Sequence, residues 1–202
     1  MKSYFTSGQL VLASKSPRRK YILEQAGIPV TVLSADTDER YPESMPTDEI
    51  AEYIAANKAK AVLSMPDYRQ LPDAALLAAD TIVVLEGRVI GKPSDREEAI
   101  HIIEALSGRT HEVITGVHLH YQNSSCSFSD KTGVTFHDLS RRQIEFYVDQ
   151  YLPYDKAGAY AIQEWIGITG IKKIEGDFYN VMGLPISRLL KKLEEFGVIT
   201  SS

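Results

Sequence analysis

Residues 74–85 form a run of apolar side chains that is interrupted only by Asp80 and Thr81. The Glu86-Gly87 pair that follows can reverse the chain, so residues 88–90 are expected to return beside this run as a hairpin. A carboxylate in the middle of a buried strand costs several kcal/mol unless a partner compensates for its charge. The run therefore predicts a strand in which Asp80 lies beside a cation, a metal ion or an exposed strand end.

The sequence pattern alone allows two interpretations of Asp80. An aspartate at a sheet edge, or one in a structural ion pair, would be an ordinary feature of a stable protein. A functional carboxylate is favoured by the Gly91-Lys92-Pro93 loop, because the hairpin can bring Lys92 close to Asp80. Loops at strand ends are also where α/β proteins place their sites.

Length and composition are those of one globular domain over residues 1–202, with 44% hydrophobic residues. The single cysteine, Cys126, excludes an internal disulfide and cysteine-based zinc or iron–sulfur sites, and it is typical of a reducing compartment. No segment approaches the roughly 20 apolar residues of a spanning helix, so we expect a cytoplasmic protein that does not bind membranes. The net charge is −5, and neither end of the chain carries a basic cluster. This argues against binding to long nucleic acid.

Helix signals alternate with strand-like runs along the chain. Capping boxes are predicted at Ser94 with Glu97 and at Ser140 with Gln143. We expect helices at about 17–26, 47–65, 94–106, 140–151 and 185–196, strands at 10–13, 29–34, 74–85, 88–90, 111–121 and 127–138, a surface loop at 66–72, and irregular or strand-like structure up to residue 182. Because hairpins accompany the alternation, the pattern predicts an α/β fold with a mixed sheet.

Residues 14–20 combine hydroxyl groups and cations at a predicted turn from strand to helix. Ser16 is expected to cap the helix, with Pro17 at its first position. Backbone N–H groups and the helix dipole favour phosphate at such a turn, and Arg18 and Arg19 can add forked donors. An ordinary cap with a solvated basic first turn explains the same residues equally well. Cations at this end of a helix oppose its dipole, which favours a role other than stability.

An acidic loop contains Asp36, Asp38 and Glu39, and Lys58 lies on the helix that follows. Carboxylate oxygens are the ligands that Mg²⁺ prefers, although acidic loops are most often simply solvated. Lys58 lies at the edge of the apolar stripe of its helix, so it can reach inward to a ligand or extend outward to water.

Several common site patterns are absent from the sequence. There is no G-x-G-x-x-G fingerprint, no P-loop and no Gly-x-Ser-x-Gly elbow. His118 and His120 share one face of a predicted strand, but no set of histidine and cysteine ligands accompanies them, so a zinc site is not expected.

The motifs together resemble the Maf family of nucleoside triphosphate pyrophosphatases. They are LASKSPRR (12–19), AADTIV (78–83), GKP (91–93), LSGRTHEVITGV (106–117), DKAGAYAIQ (155–163) and NVMGLP (180–185). They occur in the order typical of the family and extend over about residues 10–195. Each motif alone is weak, but the set is specific.

The resemblance implies an elongated mixed β-sheet with flanking helices and two lobes around a central cleft, as in inosine-triphosphatase-like folds. It implies cleavage between the α and β phosphates of a nucleoside triphosphate, giving a monophosphate and pyrophosphate with Mg²⁺ or Mn²⁺ as cofactor. The glutamine in the motif at 155–163 is similar to the branch that acts on dTTP and UTP and removes unwanted nucleotides. A homodimer is the assembly that the family implies.

Roles for individual residues are carried over by the same resemblance. Asp80 matches the catalytic acid–base aspartate, and Glu39 is expected to hold the metal with it. Arg18, Thr81 and Gln163 match the positions associated with substrate choice, and Lys58 and Lys92 match charged residues that line the cleft. Together with the hydroxyls and cations of the turn at 14–20, this predicts phosphate binding by Ser14, Ser16, Arg18, Arg19, Lys58 and Lys92. The chain departs from the pattern after Gln163, where Glu164-Trp165-Ile166 replace smaller residues.

The sequence leaves two further hypotheses open. The same phosphate chemistry could serve a purine or modified nucleotide such as ITP or 7-methyl-GTP. A nucleotide-binding regulator of cell division, without turnover, would also need the cations. The carboxylates argue against the regulator, since a protein that only binds polyphosphate gains little from them unless they hold a metal.

Overall fold

The computed structural model describes the backbone of residues 5–201 and the side chains of residues 8–200. The strands are β1 (Phe5–Ser7), β2 (Leu10–Leu12), β3 (Thr31–Val32), β4 (Ala75–Leu85), β5 (Arg88–Ile90), β6 (Thr110–Tyr121), β7 (Ser124–Phe136), β8 (Ile171–Glu175) and β9 (Ile199–Ser201). The α-helices are α1 (Pro17–Gln25), α2 (Thr47–Leu63), α3 (Pro66–Arg69), α4 (Arg96–Leu106), α5 (Arg141–Tyr151), α6 (Trp165–Gly170), α7 (Phe178–Met182) and α8 (Ile186–Glu195). Within residues 5–201, no helix has both the length and the apolar character needed to cross a bilayer.

Seven of the strands form one sheet in the order β3-β2-β4-β6-β7-β8, with β5 paired to β4. β2 runs parallel to both β3 and β4, whereas β5 is antiparallel to β4 and β8 is antiparallel to β7. β1 and β9 form a separate antiparallel pair. The predicted mixed α/β sheet with flanking helices is confirmed.

The chain is organised in two compact units, and three strands pass from one to the other. The first unit consists of the chain up to Asp80, residues 115–129 and the chain from Gly183. The second consists of residues 81–114 and 130–182. Three of the four boundaries fall inside β4, β6 and β7, and the fourth follows the end of α7, so neither unit is a continuous stretch of sequence.

In the first unit, α2 packs against β2 and β4. Alternate strand residues face the helix because side chains in a strand point to opposite faces in turn. The buried residues of this contact are Val11, Ala13, Ala59, Val62, Ala74, Leu76 and Ala78. Several are alanines, which allows the helix backbone to lie close to the sheet. Gly116 of β6 lies closer still, since a Cβ atom there would be 2.2 Å from the backbone of Ala51.

In the second unit, a cluster of rings forms part of the core. His111, Phe136 and Tyr160 meet edge to face, with ring centroids 5.0 to 5.4 Å apart. The hydroxyl of Tyr160 lies 2.7 Å from His111 Nε2, which gives both buried polar groups a partner. Nearby in the same unit, α4 packs against α5.

Most predicted helices are confirmed, but one cap is not where it was expected. The capping box at Ser140 and Gln143 is present, and Pro17 opens α1. The box predicted at Ser94 and Glu97 is wrong: Asp95 caps α4, and its carboxylate accepts the Glu98 N–H at 2.9 Å. Serine and aspartate are both good N-cap residues, and the extended backbone lies at Asp95, so the helix begins one residue later.

Other differences lie in short elements. The strand predicted at 29–34 contains only Thr31–Val32, and the loop predicted at 66–72 begins with the single-turn helix α3. The turn between β6 and β7 is formed by Gln122 and Asn123, with a left-handed φ of 53° at Gln122. The segment up to 182, predicted to be irregular or strand-like, contains the strand β8 but also the short helices α6 and α7. Elements this short carry too few residues for a period to be recognised.

Candidate active site

The topology of the first unit brings the loop after β2 close to residue 80 of β4. The parallel pairing of β2 and β4 places Leu12 opposite Leu77, and the Ala13 N–H donates to the Leu77 carbonyl at 2.7 Å. From β2 the chain runs through α1 to β3 on one side, and then through α2 to β4 on the other. Ligands in α/β sheets bind beyond the carboxyl ends of the strands where the order reverses in this way. Ser14 follows β2 at that point, and Asp80 lies three residues beyond Leu77 on β4.

Asp80 lies on the face of β4 that packs against α2. It follows Leu76 and Ala78 at a spacing of two, so the three side chains point in the same direction. The core contact of Ala59 with this face places the neighbouring Lys58 beside the carboxylate. Lys58 Nζ donates to Asp80 Oδ1 at 2.5 Å, so the lysine reaches inward and provides the cation that the sequence requires of a buried aspartate.

Glu39 completes this group from the acidic loop. The same Lys58 Nζ donates to Glu39 Oε1 at 2.7 Å. The side chains of Lys58 and Asp80 are 16% and 11% exposed, whereas that of Glu39 is 42% exposed. One ammonium group thus bridges two carboxylates, and Asp80 is largely desolvated but still accessible to a water molecule.

The loop after β2 is organised around the hydroxyl of Ser14. Ser14 Oγ accepts the Ser16 N–H at 3.2 Å and Arg19 Nη1 at 3.1 Å, and it is buried. Ser16 occupies the N-cap position of α1 as predicted, but its hydroxyl makes no capping hydrogen bond to the helix. The Ser16 side chain is therefore not committed to stabilising the end of the helix.

Arg19 is buried at the start of α1 and anchors the loop. Its Nε donates to the Gly183 carbonyl at 2.8 Å, in addition to the bond with Ser14. Burial lowers the pKa of the Arg19 guanidinium, with Asp80 and then Glu39 opposing that shift and Arg18 adding to it. A guanidinium in proteins stays protonated, so Arg19 supplies permanent positive charge in the electrostatic field of both carboxylates.

A pocket of about 150 Å³ lies where these segments meet. It is lined by Ala13, Ser14, Lys15, Ser34, Ala35, Asp36, Thr37, Glu39, Lys58 and Val62. Lys15 Nζ and Asp36 Oδ1 form an exposed ion pair 2.6 Å long in this lining. The pocket therefore brings the predicted phosphate loop and the predicted acidic loop together within the first unit.

The carboxylates of Glu39 and Asp80 are suited to a hard divalent cation. Their oxygens converge on a single positive group, which is the arrangement that such a cation requires. Among the described residues, no group of three or more histidine, cysteine, aspartate or glutamate side chains forms a metal cage. Mg²⁺ is usually held by one or two carboxylates together with substrate phosphate and water, so two carboxylates fit a metal that arrives with its substrate.

The remaining predicted residues are Arg18, Thr81, Lys92 and Gln163. Arg18 is half-buried in the first turn of α1, within the first unit. Thr81 is half-buried on β4, Lys92 is exposed in the loop after β5, and Gln163 is exposed in a turn before α6. The last three belong to the second unit. The structure thus places Ser14, Glu39 and Lys58 in the lining of one pocket, with Arg19 bonded to Ser14 and Asp80 bonded to Lys58. Thr81, Lys92 and Gln163 lie within the other unit.

The sequence patterns did not single out two polar clusters of the second unit. Asn180 is fully buried, and its amide donates to the Val113 carbonyl and to Thr132 Oγ1, each at 3.0 Å. Tyr147 and Glu164 form a hydrogen bond next to Gln163. The signals available in the sequence were Asn180 within the motif at 180–185 and Glu164 where the family pattern has smaller residues.

Comparison with known proteins relates nearly the whole chain to one family. The family described as Maf-like protein matches residues 9–196. A protein of Cytophaga hutchinsonii named dTTP/UTP pyrophosphatase is 48% identical over 186 residues, which cover 92% of this chain and 83% of that protein. Proteins with the same name from Bacteroides thetaiotaomicron and Bacillus velezensis are 46% and 43% identical, covering 93% and 94% of this chain and 95% and 97% of theirs.

One solved structure is also similar. It is described as that of the Staphylococcus aureus Ham1 protein, and it matches with a TM-score of 0.44 and 14% sequence identity. The match covers 65% of this chain and 73% of that chain. A likeness at this level supports no argument about function.

Proposed function

This chain belongs to the Maf family, and from that premise we propose that it hydrolyses dTTP and UTP to the nucleoside monophosphate and pyrophosphate. The name shared by its relatives, over more than nine-tenths of this chain, supports the proposal. The observation that carries it is the group formed by Asp80, Lys58 and Glu39 at the point where the strand order reverses. A carboxylate that is desolvated, ion-paired and reachable by water is suited to act on a water molecule.

Asp80 is the general base of this mechanism. Its carboxylate orients a water molecule and accepts a proton as the water oxygen attacks the α-phosphorus. The bond between the α-phosphorus and the bridging oxygen breaks, and pyrophosphate leaves. Lys58 holds Asp80 Oδ1 at 2.5 Å, which fixes the orientation of the carboxylate before the substrate binds.

Positive charge near the phosphates favours the transition state, in which negative charge moves onto the leaving pyrophosphate. Arg18 and Arg19, together with Lys58 and Lys92, supply that charge. Ser14 and Ser16 contribute hydroxyl groups at the end of β2. Because Arg19 is also bonded to Gly183 and Ser14, it keeps the loop in shape as well as adding charge.

A divalent cation, Mg²⁺ or Mn²⁺, would be held by Glu39 and Asp80. When bound, such a cation neutralises phosphate charge and polarises the phosphoryl oxygens. The exposed fraction of Glu39 leaves room for phosphate oxygens and water to complete the coordination that two carboxylates begin.

Selection of the base is assigned to Arg18, Thr81 and Gln163. The amide of Gln163 offers one acceptor and two donors, which match the alternating acceptor and donor groups of a uracil or thymine edge. Its exposure leaves the amide available to a ligand. A site that hydrogen-bonds the donor and acceptor edge of one base discriminates against bases with a different edge, because its polar groups are then left without partners.

We also propose that the protein forms a homodimer in the cytoplasm, where the nucleotide pool is found. The homodimer is proposed from the resemblance to the family, and the surface of the second unit carries exposed apolar side chains such as Ile168, 81% exposed, and Leu152, 57% exposed. Light scattering of the purified protein should give twice the chain mass of 22.5 kDa. A mass of one chain at micromolar concentration would contradict the dimer.

A nucleotide panel tests the activity directly. Pyrophosphate release is measured with dTTP, UTP, ITP and 7-methyl-GTP, each with Mg²⁺ and with Mn²⁺. We expect dTTP and UTP to give the highest kcat/KM. Equal rates on the purine nucleotides would contradict the pyrimidine assignment, and binding without pyrophosphate release would favour a regulator.

The variant Asp80→Asn tests the role of the base. It keeps the size of the side chain but cannot accept the proton, so we expect kcat to fall by roughly 10²–10⁴-fold. Asp130→Asn, on strand β7, is the matched control and should retain wild-type activity. Circular dichroism verifies that both variants are folded, and unchanged activity in Asp80→Asn would refute the mechanism.

A further inference from the structure

Gln163 lies in a tight turn that is held from both sides. The Glu164 N–H donates to the Ala161 carbonyl at 3.1 Å, which closes the turn over Ile162 and Gln163. Ile162 is buried, with 4% of its surface exposed, whereas Gln163 is exposed. The turn therefore inserts one side chain into the core of the second unit and presents the next to solvent.

One hydroxyl group binds both ends of this turn. Tyr147, fully buried on α5, accepts the Ala161 N–H at 3.1 Å and donates to the carboxylate of Glu164. Its ring stacks on Tyr151 with centroids 5.0 Å apart, which fixes the position of the hydroxyl. The two residues that flank Ile162 and Gln163 are thus joined through a single atom.

Lys156 binds the other oxygen of Glu164. Its Nζ lies 3.6 Å from Glu164 Oε1 and 2.8 Å from Asp155 Oδ1, and its side chain is only 9% exposed. Glu164 occupies the N-cap position of α6, yet its side chain makes no capping hydrogen bond. The carboxylate is directed to Tyr147 and Lys156 instead of to its own helix.

Stability alone does not account for this arrangement. Burying a lysine and a carboxylate costs desolvation free energy that their attraction barely offsets, and apolar replacements are often at least as stable. Helix α6 also approaches the turn closely, since a Cβ atom on Gly167 would lie 1.7 Å from the Ile162 carbonyl oxygen. The turn is therefore held both by the hydrogen bonds of Tyr147 and by the close approach of α6.

We propose that Tyr147, Glu164 and Lys156 are positioning residues for base selection, which hold the turn so that the Gln163 amide is presented in one orientation. This inference rests on the proposed function. A glutamine on a mobile turn would lose binding free energy in becoming ordered, whereas a glutamine on a fixed turn does not. Selection between bases then depends on residues that do not contact the nucleotide.

The variant Tyr147→Phe tests the proposal, because it removes the hydroxyl and retains the ring. We expect kcat/KM for UTP to fall about tenfold and the preference for UTP over ITP to fall with it. Hydrolysis of ribose 5′-triphosphate, which has no base, should be unchanged. Tyr68→Phe is the matched control, since its hydroxyl donates to the Ala74 carbonyl at 2.7 Å in the first unit, and it should retain wild-type selectivity.

Glu164 provides a second pair of variants. Glu164→Gln keeps an acceptor for Tyr147, so it should retain more of the UTP preference than Glu164→Ala does. Amide hydrogen exchange measures the turn itself, and we expect the Ala161 and Glu164 amides to exchange faster in Tyr147→Phe than in the wild type.

These measurements distinguish failure of the positioning role from failure of the proposed hydrolysis of dTTP and UTP. Equal losses on UTP and on ribose 5′-triphosphate in Tyr147→Phe would overturn the positioning role and indicate a general structural one. Unchanged selectivity together with unchanged amide exchange would also overturn it, while the proposed function would stand. A wild-type protein that releases no pyrophosphate from any nucleotide would overturn the proposed function, and with it the role in base selection.

Discussion

Single residues determine the chemistry of the first unit, and Asp80 is the clearest case. Its place in an apolar strand required a charge partner, and Lys58 is that partner. Lys58 itself was ambiguous in sequence, because a lysine at the edge of an apolar stripe can extend to either side. The direction depends on where the carboxylates lie, and that is decided by packing between α2 and β4.

Replacement of Glu39 should weaken metal binding more than it slows the catalytic step. In Glu39→Gln one anionic ligand is lost, so the Mg²⁺ concentration for half-maximal activity should rise on the order of tenfold or more. Activity at saturating Mg²⁺ should largely recover. Asp38→Asn is the control, since Asp38 binds Arg40 in the same loop and should leave the Mg²⁺ dependence unchanged. Equal Mg²⁺ dependence in Glu39→Gln and the wild type would contradict metal binding by Glu39.

His111 should make stability depend on pH. Burial lowers the pKa of its imidazole from 6.5 to about 4. Between these values the unfolded chain binds the proton and the folded chain does not, so the free energy of unfolding falls as the pH falls through this range. The full contribution of neutral His111 to the free energy of unfolding is present above about pH 6.5. Roughly 3 kcal/mol of that free energy is lost by pH 4.

Urea unfolding between pH 7 and pH 4 measures this contribution. His111→Gln removes the titrating group, so its loss of stability over that range should be about 3 kcal/mol smaller than that of the wild type. His101→Gln, at an exposed position on α4, is the control and should behave like the wild type. The same pH dependence in all three proteins would contradict the assignment to His111.

Among the secondary-structure elements, those with strong local signals were predictable and the shortest were not. The Pro17 start of α1 and the capping box of α5 depend on residues within one turn of each other. The cap of α4 was misplaced by one residue because Ser94 and Asp95 are both good N-cap residues. Only the backbone geometry, with Asp95 extended, selects between them.

Helix α2 should be sensitive to any side chain at Gly116. In Gly116→Ala the new Cβ atom would lie 2.2 Å from the Ala51 backbone, so the helix must move away from the sheet. We expect a loss of about 3 kcal/mol in the free energy of unfolding, together with lower activity, because α2 carries Lys58. Gly133→Ala is the matched control on β7, where a Cβ atom is no closer than 3.8 Å to its neighbours. Similar effects of the two variants, in denaturant unfolding, would contradict this account.

For the molecule as a whole, we propose that the two units unfold together as one domain. Strands β4, β6 and β7 each contribute residues to both units, so the loss of either unit breaks strands of the other. The sequence likewise predicts a single domain over residues 1–202. A cooperative transition without intermediates is expected of such an arrangement.

Two natural probes report on the units separately. Trp165, the only tryptophan, lies in the second unit, and Cys126, the only cysteine, lies in the first. Tryptophan fluorescence and the reactivity of the Cys126 thiol should give the same urea midpoint within error. Two midpoints separated by more than the error would contradict unfolding as one domain.

The sequence by itself determined the elements with local signals, the mixed α/β class, and the requirement that Asp80 have a partner. These follow from contiguous residues, because caps, turns and apolar periods act over a few positions. The tertiary structure decided which group became that partner, since Lys58 lies 22 residues from Asp80 along the chain. It also joined Tyr147 and Lys156 to Glu164 beside Gln163. Such contacts depend on how elements pack, and no period or spacing in the sequence encodes that packing.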